Sequence, residues 1–310
     1  MKKSPSQSRR SFLHKSALTS AGLIFLPQMV NSASSMDLKP KIPIYGHLWV
    51  YASKFPPNWD AYPDLETVFA DMSYAGLDGV ELMESILRHE DAVSKLKDYK
   101  NKYNIAVSGS SYGVGMNLWD AGQHQKIADD LALVIPRLAE VGGKTFGVSV
   151  GKADQKKSEA ELDAQAKTLK VLMSICEDHG IVANLHNHTY EIENDLHDLK
   201  GTLARIPDLK LGPDINWLIR GGVDPVTFIK TYGKQIVYVH LRDQYDHGEW
   251  TEYLGQGNTD FEGIANALRA QGFEGQAAIE LAFPNDFSPT IPLKESWKLS
   301  RKFVKKTFGW

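Results

Sequence analysis

The chain has 310 residues, 42% of them hydrophobic and 24% charged, a balance that supplies a large apolar core and excludes a disordered chain. Basic and acidic residues number 35 and 38, and loss of an N-terminal segment carrying five of the basic ones and no acid would leave 30 against 38, a net charge of about −8. So acidic a protein disfavours a polyanionic partner, so no nucleic acid is expected to bind.

The N-terminus reads as an export signal. Ser8-Arg9-Arg10-Ser11-Phe12-Leu13, with Lys15 close by, resembles the twin-arginine type, and a mildly apolar stretch from Ser16 to Val30 follows. That stretch is short of the roughly 20 residues that span a bilayer and is broken by Thr19, Ser20 and Pro27, so no stable membrane anchor is expected after cleavage. The small residues Ser32-Ala33-Ser34 suit a signal peptidase. Residues 1–34 are therefore expected to be signal and the start of a linker, and 35–310 a single domain. The expected location is the periplasm or another exported compartment, reached through the twin-arginine machinery.

From residue 40 onward one unit recurs, a helical segment that ends at a glycine and is followed by a short apolar strand. Gly76 precedes Val80-Glu81-Leu82, Gly143 precedes Phe146-Gly147-Val148, and Gly180 precedes Ile181-Val182-Ala183. Gly233 precedes Ile236-Val237-Tyr238-Val239, and Gly272 precedes Ala277-Ala278-Ile279. Glycine suits these places because a helix often ends through a left-handed residue. Ser158 with Glu161 predicts a capping box, and Asp224-Pro225 a helix start. Strands are predicted near 42–49, 78–83, 105–111, 145–150, 181–188, 209–214, 236–242 and 277–283, each followed by a helix. This alternation predicts a (β/α)8 TIM barrel, and no Gly-rich phosphate loop after the first strand supports an open doubly wound sheet instead. The one cysteine, Cys176, cannot form an intramolecular disulfide and reads as helix packing.

In such a barrel chemistry sits at the C-terminal ends of the strands. Strand five ends Asn184-Leu185-His186-Asn187-His188, and its two-residue period puts Asn184, His186 and His188 on one face. Strand six ends at Asp214, strand seven at His240-Leu241-Arg242-Asp243 and strand eight at Glu280. Carboxylate and imidazole at consecutive strand ends predict a site for a divalent ion, Mn2+, Zn2+, Mg2+ or Co2+, at His186, Asp214, His240 and Glu280. Glu81, Arg242, Trp217 and Trp49 are candidates for binding substrate, the tryptophans by stacking on a sugar ring. Asp243 is read as orienting His240 or capping the next helix.

The sequence resembles the xylose-isomerase-like TIM barrels, often called sugar phosphate isomerases/epimerases, over roughly residues 42 to 308. The resemblance is carried by Gly76-Leu77-Asp78-Gly79-Val80-Glu81-Leu82, His186-Asn187-His188 with Glu191, Asp214 with Trp217, Val239-His240-Leu241-Arg242-Asp243, Leu254-Gly255-Gln256-Gly257 before Asp260-Phe261, and Glu280. It implies a metal held by a Glu on strand five, an Asp on strand six, a His on strand seven and a Glu on strand eight. Asp214, His240 and Glu280 match the last three, whereas His186 stands in the first position.

The expected activity is a metal-dependent isomerase or epimerase of an unphosphorylated sugar or keto-sugar, working through an enediolate with Glu280 and His186 or His188 as acid/base groups. A lyase or hydratase of a keto-sugar, inosose or 3-keto-glycoside is the second reading, and a non-catalytic sugar- or metal-binding barrel the third. The expected partner is a small carbohydrate, and assembly into a homo-oligomer stays open.

Overall fold

A computed structural model describes residues 41–113, 115–284 and 287–310; the segment read as an export signal lies outside them. Eight parallel strands form the inner wall: β1 (Ile44–His47), β2 (Gly79–Met83), β3 (Ala106–Tyr112), β4 (Thr145–Val148), β5 (Val182–Leu185), β6 (Lys210–Leu211), β7 (Tyr238–Leu241) and β8 (Gln276–Ile279). Each predicted strand is present. They run in sheet order β6-β5-β4-β3-β2-β1-β8-β7, with helices between successive strands. This is a (β/α)8 barrel.

Closure between β6 and β7 differs from the other joints. Gly212-Pro213 ends β6 after two residues, since proline has no N–H to give a ladder. The gap is spanned by two isolated bridges, Leu211 to Ile236 and Asp214 to His240. Backbone bonds from Val237 N–H to the Leu211 carbonyl (2.9 Å) and from His240 N–H to the Pro213 carbonyl (3.0 Å) complete it. The second bridge sets Asp214 directly beside His240.

The predicted caps explain where several helices begin and end. Ser158 and Glu161 form a reciprocal capping box at the start of Glu159–Asp178, and Asp224 accepts from Thr227 N–H ahead of Pro225–Tyr232. Gly76 ends Leu65–Ala75 with φ 74°, the left-handed geometry expected of it. Gly233 departs from that expectation. Its φ is −54°, and a Cβ there would stand 2.4 Å from the Gln271 side chain, which would have to move aside.

The main core lies between strands and helices; Cys176 is buried in it, which pushes its thiol up to about 12. A second, smaller cluster of Tyr45, Tyr238 and Ala278 plugs the barrel interior. The two-residue strand period then carries the inward face from Tyr45 to His47, from Tyr238 to His240 and from Ala278 to Glu280. The plug is thus the floor on which the polar layer stands. No helix among the described residues is long and apolar enough to cross a membrane.

Candidate active site

A cavity of about 440 Å³ opens above that floor, and His186, His188, His240, Arg242 and Glu280 line it. Ligand atoms of His186, Asp214 and His240 lie within 4.8 Å of one another, all three residues buried. Asp214 is wholly inaccessible because one carboxylate oxygen, Oδ1, caps the following helix, accepting from Asn216 N–H (2.8 Å) and Trp217 N–H (3.1 Å). Its other oxygen faces Arg242 Nη2 at 3.2 Å.

His240 is held at both ends. Its Nδ1 lies 2.9 Å from Glu280 Oε2 and its Nε2 2.8 Å from Glu81 Oε2. Burial disfavours the imidazolium, but the two carboxylates outweigh it and push the His240 pKa up to about 10. Glu280 is likewise buried, yet Arg242 beside it and the His240 hydrogen bond hold its carboxyl well below the usual range. Burial, with a smaller push from Glu280, raises Asp214.

His186 contrasts with His240. Burial, then the neighbouring His240 and His188, lowers its pKa well below the usual value, and neither ring nitrogen has a hydrogen-bond partner among the described residues. A buried, neutral imidazole with its lone pair uncommitted is what a metal ligand needs. His240 completes such a site on losing its Nδ1 proton, because Glu81 holds the far nitrogen in the way that orients ligand histidines. The donor set of His186, Asp214 and His240 therefore fits a divalent ion, with Glu280 beside it.

The other expected residues fall into two groups. His188, Trp217, Trp49 and Arg242 face the cavity. His188 Nδ1 is held by Ser149 Oγ (3.2 Å) and Tyr190 Oη (3.1 Å), while burial lowers its pKa to about 4. Glu81 does not reach the cavity; it stands behind His240, where it also accepts from Tyr238 Oη at 3.1 Å. Arg242 braces Asp214 and Glu280 with Nη2, and its guanidinium lies over the Trp217 and Trp250 rings. Asp243 neither orients His240 nor caps a helix. Its carboxylate accepts from Gly255 N–H and Gly257 N–H, both at 2.9 Å, and so clamps the loop after β7.

His47, Ser149, Tyr190, Trp59 and Trp250 also line the cavity but were not reached from sequence. His47 was findable, as a histidine ending the first strand. Its Nδ1 accepts from Trp49 N–H (3.2 Å) and its Nε2 meets Ser111 Oγ (3.0 Å), so it is neutral and its 3.6 Å approach to Glu280 is no ion pair. Burial lowers its pKa accordingly. Glu191 is fully enclosed, accepting from Ser149 Oγ (2.6 Å), Val150 N–H (3.1 Å) and His188 N–H (2.7 Å), and burial pushes it up to about 7.

The profile of the xylose isomerase-like TIM barrel family matches residues 69–307. The chain belongs to that family. The family match covers seven of the eight strands and every residue of the ligand trio. No match is found among curated proteins. Solved structures similar to it include a D-allulose 3-epimerase from Methylomonas sp., 18% identical with a TM-score of 0.71 over 86% of this chain and 98% of that one. A 3-keto-D-glucoside 4-epimerase from E. coli is 17% identical, with a TM-score of 0.67 over 86% and 100% of the two chains. A sugar phosphate isomerase/epimerase from Parabacteroides distasonis is 14% identical, with a TM-score of 0.67 over 89% and 97%. At these identities the likeness is one of fold.

Proposed function

We propose that this protein is an exported, metal-dependent epimerase or isomerase of an unphosphorylated keto-sugar. One observation carries the reading: an ionised Glu280 adjoins the His186, Asp214 and His240 trio at the floor of a cavity large enough for a sugar. The similar folds include epimerases of keto-sugars, which supports the substrate class. Against a phosphorylated substrate stands the lining, in which Arg242 is the sole lysine or arginine among the described residues and is already engaged by two carboxylates.

His186, Asp214 and His240 would hold a divalent ion, which when bound would supply Lewis-acid polarisation of a keto oxygen. Glu280 takes the proton from the adjoining carbon, and the electron pair moves onto the oxygen to give an enediolate. Arg242, whose Nη1 has no hydrogen-bond partner among the described residues, donates to substrate oxygen. His188 returns a proton from Nε2 while Nδ1 takes the Ser149 hydroxyl proton, which Glu191, pushed up to about 7 by burial, replaces from its own protonated carboxyl. Trp49 and Trp217 enclose the sugar ring.

The test is solvent deuterium entering a panel of free ketohexoses and 3-keto-glucosides incubated with the metal-loaded protein, together with its metal content. Incorporation with recovery of an epimer supports the reading. A protein that takes up no metal and exchanges no proton on any of them fails it and leaves a non-catalytic binding barrel. A second reading, elimination from a keto-sugar, is favoured by the unlike acid/base pair of Glu280 and His188; release of water or an aglycone distinguishes it.

The segment 1–34 is proposed as a twin-arginine-type signal. Replacing Arg9 and Arg10 by lysine is expected to leave the protein in the cytoplasm with its N-terminus uncut, read by fractionation and N-terminal sequencing; export of the variant rejects it.

A further inference from the structure

We infer that this centre selects borderline transition ions such as Zn2+, Co2+ and Fe2+ over the harder Mg2+, Ca2+ and Mn2+, and that His186 is the residue that makes the selection. This rests on the metal-dependent reading of the same site and goes further, to which ions it takes.

The three groups whose ligand atoms gather within 4.8 Å of one another are two imidazoles and one carboxylate. Nitrogen donors suit borderline ions, whereas Mg2+, Ca2+ and Mn2+ are best served by several charged or carbonyl oxygens. The oxygens present are already shared. Arg242 Nη2 bridges Asp214 Oδ2 and Glu280 Oε1, so each carboxylate offers a cation less negative charge than its formal one. Asp214 Oδ1 is committed to two helix N–H groups.

The nitrogens are placed oppositely. The His186 ring is buried, packs against the His188 and His240 rings, and makes no hydrogen bond among the described residues. It has room for a ligand and no other use for its lone pair. Glu81 fixes the far nitrogen of His240, aiming Nδ1 at the cluster. Two imidazoles and one carboxylate also leave positions open for substrate oxygen, as two-histidine, one-carboxylate metal centres do.

The test is calorimetric titration of Zn2+ and, separately, Mn2+ into the metal-stripped protein and its variants. Any nitrogen-containing site prefers Zn2+ to some extent, so the discriminating quantity is the change in the Kd ratio, Mn2+ over Zn2+, on substitution. His186→Glu is expected to lower that ratio by at least about tenfold. A smaller change, with Zn2+ binding still abolished in Asp214→Ala, overturns the role of His186 and leaves the metal site standing. A wild type that binds neither ion fails the metal reading itself. Should His186→Glu not fold, histidine-15N NMR of the unaltered protein decides: Zn2+ is expected to shift two ring nitrogens strongly, one from His186 and one from His240, and a shift in His240 alone overturns the inference.

Discussion

The two halves of the barrel mouth are built from different materials. β5 to β8 bring His186, Asp214, His240, Arg242 and Glu280, buried ionisable groups of which all but His186 sit against an oppositely charged neighbour. β1 to β4 bring Trp49, Trp59, Ser111, Gly147 and Ser149, which shape the cavity and add little charge. His47, Glu81 and Glu84 are the exceptions, but His47 is neutral, Glu81 serves His240 and Glu84 lies 3.9 Å from Arg88. On the proposed reading this is a division of labour, in which one half would perform the chemistry and the other would receive the substrate. Substitutions in the first set should therefore lower kcat, and those in the second should raise KM.

The largest expected effect is that of Asp214→Ala. It removes a proposed metal ligand, a helix cap and a partner of Arg242 together, so metal content and proton exchange should both vanish. Unfolding stability should fall on the order of 2–4 kcal/mol, read by denaturant titration. Glu280→Gln comes next: exchange should fall by roughly 10²- to 10⁴-fold while the trio keeps its metal, which separates base from ligand. Loss of metal in that variant would make Glu280 a ligand instead.

The His240 pKa predicts a pH effect on the metal-free protein. Folding raises it from about 6.5 to about 10, so its stabilisation is full below pH 6.5 and is lost as pH rises towards 10. Tm should drop over that window, and Glu81→Gln should flatten the drop. A profile unchanged by the substitution would mean that the Glu81 pair does not hold the proton.

In the receiving half the effects are smaller. Trp49→Ala should raise KM by roughly tenfold with kcat nearly unchanged. Gly147→Ala should fold normally, since a Cβ there meets nothing closer than Asn184 Oδ1 at 3.6 Å. It protrudes into the cavity, so KM should still rise a few-fold. If either variant lowers kcat as much as Glu280→Gln, the division of labour fails.

Much of this was legible in the sequence. All eight strands were, five of them because an apolar run follows a glycine near a helix end and the others as short apolar runs between helical segments. His186, Asp214, His240 and Glu280 were legible because strand ends locate them. The period gives the face on which a side chain lies, however, and not its partner. Glu81, which the sequence leaves open between substrate and a supporting place behind it, steadies a histidine, and Arg242 braces carboxylates as well as facing the cavity. Trp59, Trp250 and Tyr190 sit on loops, where no periodicity points inward. Ser149 and Tyr190 acquire meaning only by meeting His188.

The short β6 has a mechanical consequence. Among the described residues β6 and β7 are the neighbours joined by isolated bridges rather than a ladder, and one of those bridges is the Asp214 to His240 pair itself. An ion gripping both side chains would act as a clasp across the loosest joint of the wall. Loading the site would then slow amide hydrogen exchange along the whole seam, so that the cohesion of the barrel reports on whether its centre is charged.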